Sequence, residues 1–389
     1  MPRLKVLFIT NWYPTRAEPI KAVWVREHAK AVQLYDDVVV LHSVGADRAL
    51  RTSWRMERET DESLSEGIQT CRVWYRPAPI PKTSYAVYLW SVIRAFRQIV
   101  KEGFAPDLIH VHIYDGGGPG LLIAKPRGLT LVVSEQFSSF PRRLLRPPDL
   151  IKAWLAFRWA DAVLPVSHAL QRAIEHYGIR ARFHVIPNVV DTTLFVPGSP
   201  RQRDPDRKRI LFVGQLQPVR GIPHLLQALS RLGHKRSDWQ VDIVGDGEAR
   251  SEYERLATDL ALASRVAFHG LKSKPEVAAF MRRADFLVLS SLCETFSAPA
   301  AEALAVGTPV LATRCGGPEE FISEDVGALV APGDADALYR GLDEMLDHLH
   351  RYSGPQIAQY ARDRFSPELV GAQLHAVYES LRPRARSRG

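Results

Sequence analysis

The stretch RILFVGQLQPVRGIPHLL (209–226) contains the unit from which this chain is built. An aliphatic run ends at Gly214, a short polar loop follows, and Arg220-Gly221 precedes an apolar helical pattern with Pro223 in its first turn. Because proline is favoured in the first turn of a helix, the stretch predicts a strand, a turn and a helix in succession. Repetition of that unit is typical of a parallel sheet wound βαβ.

The same alternation of short apolar runs and longer helical patterns recurs along the chain. Runs that are apolar on both faces and separated by helices predict parallel strands. They lie at 4–9, 37–43, 107–112, 129–133, 162–167, 183–186, 209–214, 239–247, 265–270, 285–291, 308–313 and 327–332. The sequence therefore predicts an α/β protein of two Rossmann-like domains, whose parallel sheets face one another across a cleft.

A polar stretch rich in proline and arginine, VPGSPRQRDPDRKR (196–209), divides the two series of runs. We predict an N-terminal domain over 1–196, a linker over 197–209 and a C-terminal domain over 210–365. A last helix, at about 366–384, is expected to pack back on the first domain. Ligands of such sheets bind outside the carboxyl ends of the strands, so the cleft is the expected site.

The composition is that of a globular protein, with 389 residues of which 46% are hydrophobic and 24% charged. No apolar run approaches the roughly 20 residues that cross a bilayer, and the first residues do not resemble a signal peptide. Cys71, Cys293 and Cys315 are scattered and form no zinc-binding spacing. These features predict a cytoplasmic protein.

The formal charge of +8 indicates either an anionic partner or a solvated basic surface. No nucleic-acid-binding motif is present, so we expect no nucleic-acid partner. The stretch 140–160 interleaves Arg142, Arg143 and Arg146 with leucines and tryptophans, and the helical pattern 82–104 adds further basic residues. Mixed basic and apolar side chains favour attachment to the inner face of an anionic membrane. The alternative is a buried helix with a solvated basic rim.

The stretch CETFSAPAAEALAVGTPVLATRCGGPEE (293–320) carries the clearest indication of chemistry. Ser297 is placed to cap a helix that has Pro299 in its first turn, and the N-terminus of such a helix binds anions such as a diphosphate. Glu294 and Glu302 are eight residues apart and can accept hydrogen bonds from sugar and ribose hydroxyls. Structural alternatives stay open for both residues: Glu302 can complement the helix dipole, and Glu294 can be a solvent-exposed side chain.

Two further positions are candidates. Arg220 can reach a diphosphate and stabilise the charge of a leaving group, although an ordinary surface arginine would look the same in sequence. His110 and His112 share one face of a strand in LIHVH, and no third metal ligand of matching spacing follows. We expect His112, at the carboxyl end of the strand, to contact a sugar and His110 to pack.

Taken together, these stretches resemble family 4 of the retaining glycosyltransferases, whose GT-B fold has two Rossmann-like domains. The family's E-x7-E signature matches Glu294 and Glu302, and the strand-end histidine matches His112. Its GG-x-x-E signature matches Gly316, Gly317 and Glu320. Its G-R-L…K-G signature matches Gly214, Gln215, Leu216, Arg220 and Gly221. Its PNGVD signature matches PNVVD (187–191).

The match has departures. Gln215 and Arg220 stand where the family usually has arginine and lysine, so one expected cation is missing. Ser297 and Ala22 occupy positions that are usually glycine, and Gln136 occupies one that is often histidine. Reduced activity or an unusual donor is compatible with these changes.

The resemblance implies a retaining transfer of a hexose-type sugar from a UDP- or GDP-sugar, in polysaccharide biosynthesis, with no metal or other cofactor. The acceptor is expected to be a lipid-linked or cell-surface glycan. Arg220 and the helix N-terminus at Ser297 and Ala298 would hold the diphosphate, Glu302 the ribose, and Glu294 and His112 the sugar.

Other interpretations remain. A nucleotide-sugar epimerase or a phosphorylase can share the fold, and Gln215 favours a sugar-nucleotide-binding or lipid-binding protein without turnover. A dinucleotide oxidoreductase is disfavoured because no G-x-G-x-x-G follows the first strand.

Overall fold

The computed structural model describes residues 3–47, 50, 52–76, 84–198 and 207–382. The chain divides into two compact units. Unit 1 contains the described residues up to Val189 and those from Pro367 onward, and unit 2 contains Val190–Ser366. Most of the predicted linker, residues 199–206, lies outside the described residues. The division falls before position 196 because the N–H of Val190 already donates to the carbonyl of Phe365, at 2.8 Å, within unit 2.

Unit 1 contains a sheet of the order β3-β4-β2-β1-β5-β6-β7. Its strands are β1 (Lys5–Thr10), β2 (Asp37–Ala46), β3 (Trp54–Arg58), β4 (Gln69–Tyr75), β5 (Leu108–His112), β6 (Thr130–Glu135) and β7 (Ala162–Pro165). All neighbours are parallel except β3, which runs antiparallel to β4 at the edge. The helices are α1 (Val23–Gln33), α2 (Glu62–Ser65), α3 (Ser84–Lys101), α4 (Gly117–Ala124), α5 (Pro147–Trp159) and α6 (His168–Glu175).

Unit 2 repeats the pattern with a parallel sheet of the order β10-β9-β8-β11-β12-β13. The strands are β8 (Lys208–Val213), β9 (Trp239–Val244), β10 (Val266–Phe268), β11 (Phe286–Leu289), β12 (Val310–Thr313) and β13 (Gly327–Val330). The helices are α7 (Ile222–Lys235), α8 (Arg250–Asp259), α9 (Lys274–Arg283), α10 (Ala298–Ala305), α11 (Ala335–His348) and α12 (Gly354–Phe365). The predicted α/β class with two Rossmann-like sheets is confirmed.

The last helix, α13 (Pro367–Leu381), belongs to unit 1 and packs against α1. Val370, Leu374 and Tyr378 are buried in the unit 1 core. A methyl group on Gly371 would lie 2.3 Å from the carbonyl oxygen of Ala31, so the two helix backbones are in direct contact.

One predicted strand was wrong and two strands were missed. Residues 183–186 form only an isolated bridge, between Phe183 and Val163, rather than a strand. Strands β3 and β4 were missed because β3 alternates between half-buried and exposed residues, as an edge strand does, and lacks an apolar run.

The helices of unit 1 differ in detail from the sequence patterns. In α3 the buried face contains Val92, Phe96 and Ile99, and Tyr85 is exposed. The glycines after β5 serve packing: a methyl group on Gly117 would lie 2.3 Å from the Cβ of Ala156 in α5. Close approach to neighbouring side chains therefore accounts for the three successive glycines, Gly116, Gly117 and Gly118. Among the described helices, none has both the length and the apolar character needed to cross a bilayer.

Candidate active site

In each sheet the strand order reverses next to the first strand of the unit. In unit 2, β8 lies between β9 and β11, and in unit 1, β1 lies between β2 and β5. The carboxyl ends of β8 and β11, and of β1 and β5, are therefore the topological switch points, where ligands of such sheets bind. Arg220 follows β8, Glu294 follows β11, Ala22 follows β1, and His112 ends β5.

The loop after β8 is fixed to the loop after β11. The hydroxyl of Ser290 donates to the carbonyl of Arg220 at 2.8 Å, and the N–H of Leu292 donates to the carbonyl of Val219 at 2.8 Å. Gly221 has a φ of 64°, and a methyl group there would lie 2.1 Å from the carbonyl oxygen of Ser290. Only glycine meets both conditions without strain. These contacts hold Arg220 at the carboxyl edge of the sheet.

Glu294 is buried, with 8% of its surface exposed, so the interpretation of a solvated carboxylate is wrong. Its Oε1 accepts hydrogen bonds from the Arg220 guanidinium and from the Ser291 hydroxyl, the latter at 2.8 Å. The backbone of Glu294 pairs with the loop after β12, through Cys315 and Gly317. Sequence reasoning did not find Ser291, which lies three residues before the glutamate.

Ser297 precedes α10, as predicted, but its side chain forms no capping hydrogen bond. The residue has φ 77° and ψ 85°, a left-handed conformation that favours glycine. The serine keeps the backbone shape of the usual glycine at a conformational cost, and its buried hydroxyl has no hydrogen-bond partner among the described residues. The amides at Ala298 and Ala300 begin α10, where no preceding turn of helix supplies carbonyl partners.

The remaining predicted residues of unit 2 lie in the same loops. Gly214 directly follows β8, Gln215 is exposed beside it, and Glu302 is half-buried on α10. Gly317 packs on the E-x7-E loop, since a methyl group there would lie 2.3 Å from the carbonyl oxygen of Thr295. Glu320 is exposed at the end of the following turn.

His112 is buried in unit 1 against Phe8, His28 and His110. Burial lowers the pKa of His112 well below its ordinary value, and the neighbouring His110 and His28 lower it further. The imidazole is therefore neutral and suited to hydrogen bonding with a hydroxyl group. The next residue, Ile113, has a φ of 68°, which is strained for a β-branched side chain.

His110 packs as expected. Its Nδ1 lies 2.7 Å from the hydroxyl of Tyr378 and its Nε2 lies 2.8 Å from the hydroxyl of Ser134. Both nitrogens are satisfied within unit 1, so His110 supports its neighbour His112 and has no nitrogen left for a ligand.

Ala22 and Gln136 lie in the loops of unit 1 that follow β1 and β6. Ala22 has a φ of 50° and so adopts the left-handed backbone of the glycine it replaces. Gln136 is half-buried and follows Glu135, whose carboxylate accepts hydrogen bonds from the N–H groups of Tyr114, Gln136 and Phe137. Burial raises the pKa of Glu135 to about 7. Sequence reasoning gave Glu135 no structural role.

Three of the predicted site residues have buried polar atoms without a partner among the described residues. They are both ring nitrogens of His112, the Nε of Arg220 and the hydroxyl of Ser297. Buried polar groups are almost always hydrogen-bonded in folded proteins, so each unpaired atom needs an explanation. All three lie at the carboxyl edge of their own sheet, and a polar ligand bound there would satisfy them.

No group of three or more histidine, cysteine or acidic side chains is arranged to hold a metal ion within the described part of the chain. The three cysteines are free, and Cys71 and Cys315 are buried.

Comparison with known proteins agrees with the fold and the motifs. Residues 199–363 match the family described as glycosyl transferases group 1, and residues 23–194 match glycosyltransferase family 4. The chain is 32% identical over 346 residues to an MMP alpha-(1->4)-mannosyltransferase of Mycolicibacterium hassiacum, covering 83% of this chain and 80% of that protein. The chain belongs to the group 1 glycosyltransferases. It is therefore a transferase that uses sugar-nucleotide donors.

Solved structures show the same GT-B fold. Sucrose-phosphate synthase of Thermosynechococcus elongatus superposes with a TM-score of 0.75 at 20% identity, covering 97% of this chain and 99% of that one. Anabaena HepE, in complex with UDP and glucose, superposes with a TM-score of 0.74 at 22% identity, covering 97% and 100%.

Proposed function

We propose that this protein transfers a hexose-type sugar from a UDP- or GDP-sugar to a lipid-linked or cell-surface glycan, with retention of anomeric configuration. The observation that carries the proposal is the set of unpaired polar atoms on His112, Arg220 and Ser297. Sugars and diphosphates offer many hydrogen-bonding groups and can satisfy these atoms. HepE, which shares the fold, was solved with UDP and glucose.

In the proposed complex, unit 2 holds the nucleotide diphosphate. Arg220 and the amide groups that begin α10 meet the phosphate charge, and the Ser297 hydroxyl donates to a phosphate or sugar oxygen. Glu302 accepts hydrogen bonds from ribose hydroxyls. Fixed donors stabilise the charge that develops on the leaving diphosphate, because they need no reorganisation during the reaction.

The sugar is oriented by Glu294 and His112. A buried carboxylate accepts hydrogen bonds from sugar hydroxyls, and the neutral imidazole can donate one or accept one. In the resembling family the acceptor is thought to attack from the face that the diphosphate leaves, and the leaving phosphate takes the acceptor proton. No side chain is then required as a base.

The direct test is incubation with labelled UDP- and GDP-sugars and a set of glycan and lipid-linked acceptors. We expect release of UDP or GDP and an α-linked product from an α-linked donor, read by NMR of the anomeric proton. A β-linked product would refute retention. Binding of a sugar nucleotide without release or transfer would favour a protein that has lost turnover, the alternative that the exposed, uncharged Gln215 supports.

We further propose that the enzyme works at the cytoplasmic face of a membrane, where a lipid-linked acceptor would lie. Support comes from basic and apolar side chains that are exposed together on unit 1.

A further inference from the structure

Helix α5 presents an apolar face to solvent. Ile151, Trp154, Leu155 and Trp159 are 61%, 46%, 41% and 57% exposed, respectively. Their spacing of three or four residues places them along one face of the helix. The opposite face, with Ala153, Ala156 and Phe157, is buried. We call these four exposed side chains the α5 stripe.

The neighbouring surface is basic. Arg142, Arg143, Arg146 and Arg158 are exposed, and none has a carboxylate partner among the described residues. The acidic residue of this stretch, Asp149, is already paired with Lys152 at 3.0 Å. We call the four arginines the α5 arginines.

Some surface arginines of unit 2 are paired with carboxylates, whereas Arg255, Arg340 and Arg351 are exposed and have no carboxylate partner among the described residues. Arg236 contacts Asp238, Asp343 and Asp347, and Arg250 contacts Asp246 and Glu254. What distinguishes the α5 arginines is the combination of cations that lack a carboxylate partner with the exposed apolar side chains of the α5 stripe in one stretch of chain. This combination requires a partner that is both anionic and able to bury hydrocarbon.

We infer that the α5 stripe and the α5 arginines form a docking surface for an anionic lipid bilayer. Tryptophan suits the bilayer interface because its ring is apolar and its indole N–H is polar. Arginines beside the stripe would contact lipid headgroups while Ile151 and Leu155 enter the acyl boundary. The inference deepens the proposed function, since it names the surface from which a lipid-linked acceptor would be reached.

Other occupants fit less well. A second copy of this chain would meet the same patch in a two-fold dimer and set arginines against arginines. Nucleic acid would pair with the arginines and leave aliphatic side chains such as Ile151 and Leu155 uncovered. Of the basic residues of α3, Arg94 stacks on Trp54 and Trp90, whereas Arg97 and Lys101 are exposed.

The test is co-sedimentation of the full chain with phosphatidylcholine vesicles, with and without about 30% phosphatidylglycerol, at low and high salt. We expect binding to the anionic vesicles that weakens as salt rises, because screening shortens the reach of the attraction. Equal binding to both vesicles, or binding to neither, would overturn the inference.

Two variants locate the surface. Changing Arg142, Arg143 and Arg146 to Ser should reduce partitioning about a hundredfold, at about fivefold for each arginine. Changing Trp154 and Trp159 to Ser should reduce binding to anionic vesicles at both salt concentrations, since the lost contribution is hydrophobic. All these side chains are exposed, so the melting temperature should hardly change.

Matched controls come from unit 2. Arg255, Arg340 and Arg351 are exposed, and changing all three to Ser makes the same change in net charge. Leu271 is 59% exposed and provides an apolar control as Leu271→Ser. Binding must survive in both controls. An equal loss of vesicle binding in the arginine control would show that net charge alone explains the effect, and it would overturn the proposed surface.

Release of UDP or GDP from the donor, measured without vesicles, separates this inference from the proposed function. Unchanged release with lost vesicle binding in the tryptophan variant supports both. Vesicle binding through α5 without any nucleotide release supports the docking surface and contradicts the transferase. Self-association that depends on Trp154 and Trp159, without vesicle binding, would overturn the lipid surface in favour of a second copy.

Discussion

The guanidinium of Arg220 donates a hydrogen bond to the carboxylate of Glu294, although the two residues follow different strands of unit 2. The pair joins the residue proposed to hold the diphosphate with the residue proposed to orient the sugar. Because Glu294 is buried, removing Arg220 leaves a buried carboxylate without its counter-charge.

Arg220→Ala should therefore lower kcat about 10²- to 10³-fold, through loss of a donor to the leaving diphosphate. Glu294→Gln retains the size of the side chain and one acceptor oxygen, and should lower kcat less than Glu294→Ala. The measurement is steady-state release of UDP or GDP. Wild-type rates in Arg220→Ala would show that the arginine serves only to neutralise Glu294.

Glu302→Ala should mainly raise the KM for the donor. Ribose contacts are equally strong in the ground state and the transition state, so their loss weakens binding without changing the chemical step. Donor affinity from calorimetry checks the change. A drop in kcat at unchanged KM would place Glu302 at the reacting sugar instead.

Chelators should leave turnover intact, because Arg220 and the N-terminus of α10 are proposed to meet the diphosphate charge. Activity is measured after dialysis against EDTA, with and without added Mn²⁺. Complete loss in EDTA that Mn²⁺ restores would contradict the proposed diphosphate site.

Gly317→Ala should weaken donor binding by at least about tenfold. Its methyl group would lie 2.3 Å from the carbonyl of Thr295, so the loop that carries Glu294 and Ser297 must move. Gly233→Ala is the control, because there the nearest atom, 3.2 Å away, is the end of the Arg265 side chain. Thermal shift with UDP and GDP measures both variants, and equal affinities would refute the loop's role.

Unit 1 should lose stability as the pH falls below 6.5. Burial lowers the pKa of His28 to about 4 and of His42 to about 3, and lowers the pKa of His110 and His112 well below the ordinary value. The unfolded chain binds protons below pH 6.5 while the folded unit stays neutral. The contribution of these groups to the free energy of unfolding is therefore full above pH 6.5. Below that pH, each histidine lowers the free energy of unfolding by about 1.4 kcal/mol per pH unit.

Glu135 changes the stability of unit 1 with pH in the opposite direction. Burial raises its pKa to about 7 from 4.5, so its contribution is full below pH 4.5 and is lost as the pH rises to about 7. Because four histidines outweigh one glutamate, the stability of unit 1 still falls as the pH is lowered. Urea unfolding, followed by hydrogen exchange in unit 1 at pH 7.5, 6 and 5, measures this change in stability. His42→Gln should flatten the profile and exposed His234→Gln should not, and a flat wild-type profile would contradict the assignment.

The sequence predicted the parallel strands because they are apolar on both faces, as in β1 and β11, and it placed Arg220, Glu294 and His112 at strand ends. It missed the edge strand β3, whose residues are half-buried or exposed, and its neighbour β4, whose buried run contains the polar residues Thr70 and Arg72. The Arg220–Glu294 contact was also missed. It depends on which strands are neighbours, and local patterns do not determine that order. Ser297 was expected to cap α10 because its type is right, but its left-handed backbone is a tertiary property.

The position of α13 has a consequence for synthesis of the chain. Unit 2 is continuous in sequence over Val190–Ser366, whereas unit 1 is completed by a helix that is synthesised only after unit 2. Until then the apolar surface that Val370, Leu374 and Tyr378 will cover has no partner, and His110 lacks the tyrosine hydroxyl that meets its Nδ1. Chimeras that exchange unit 1 between related enzymes must therefore carry 367–381 from the same parent as 3–189.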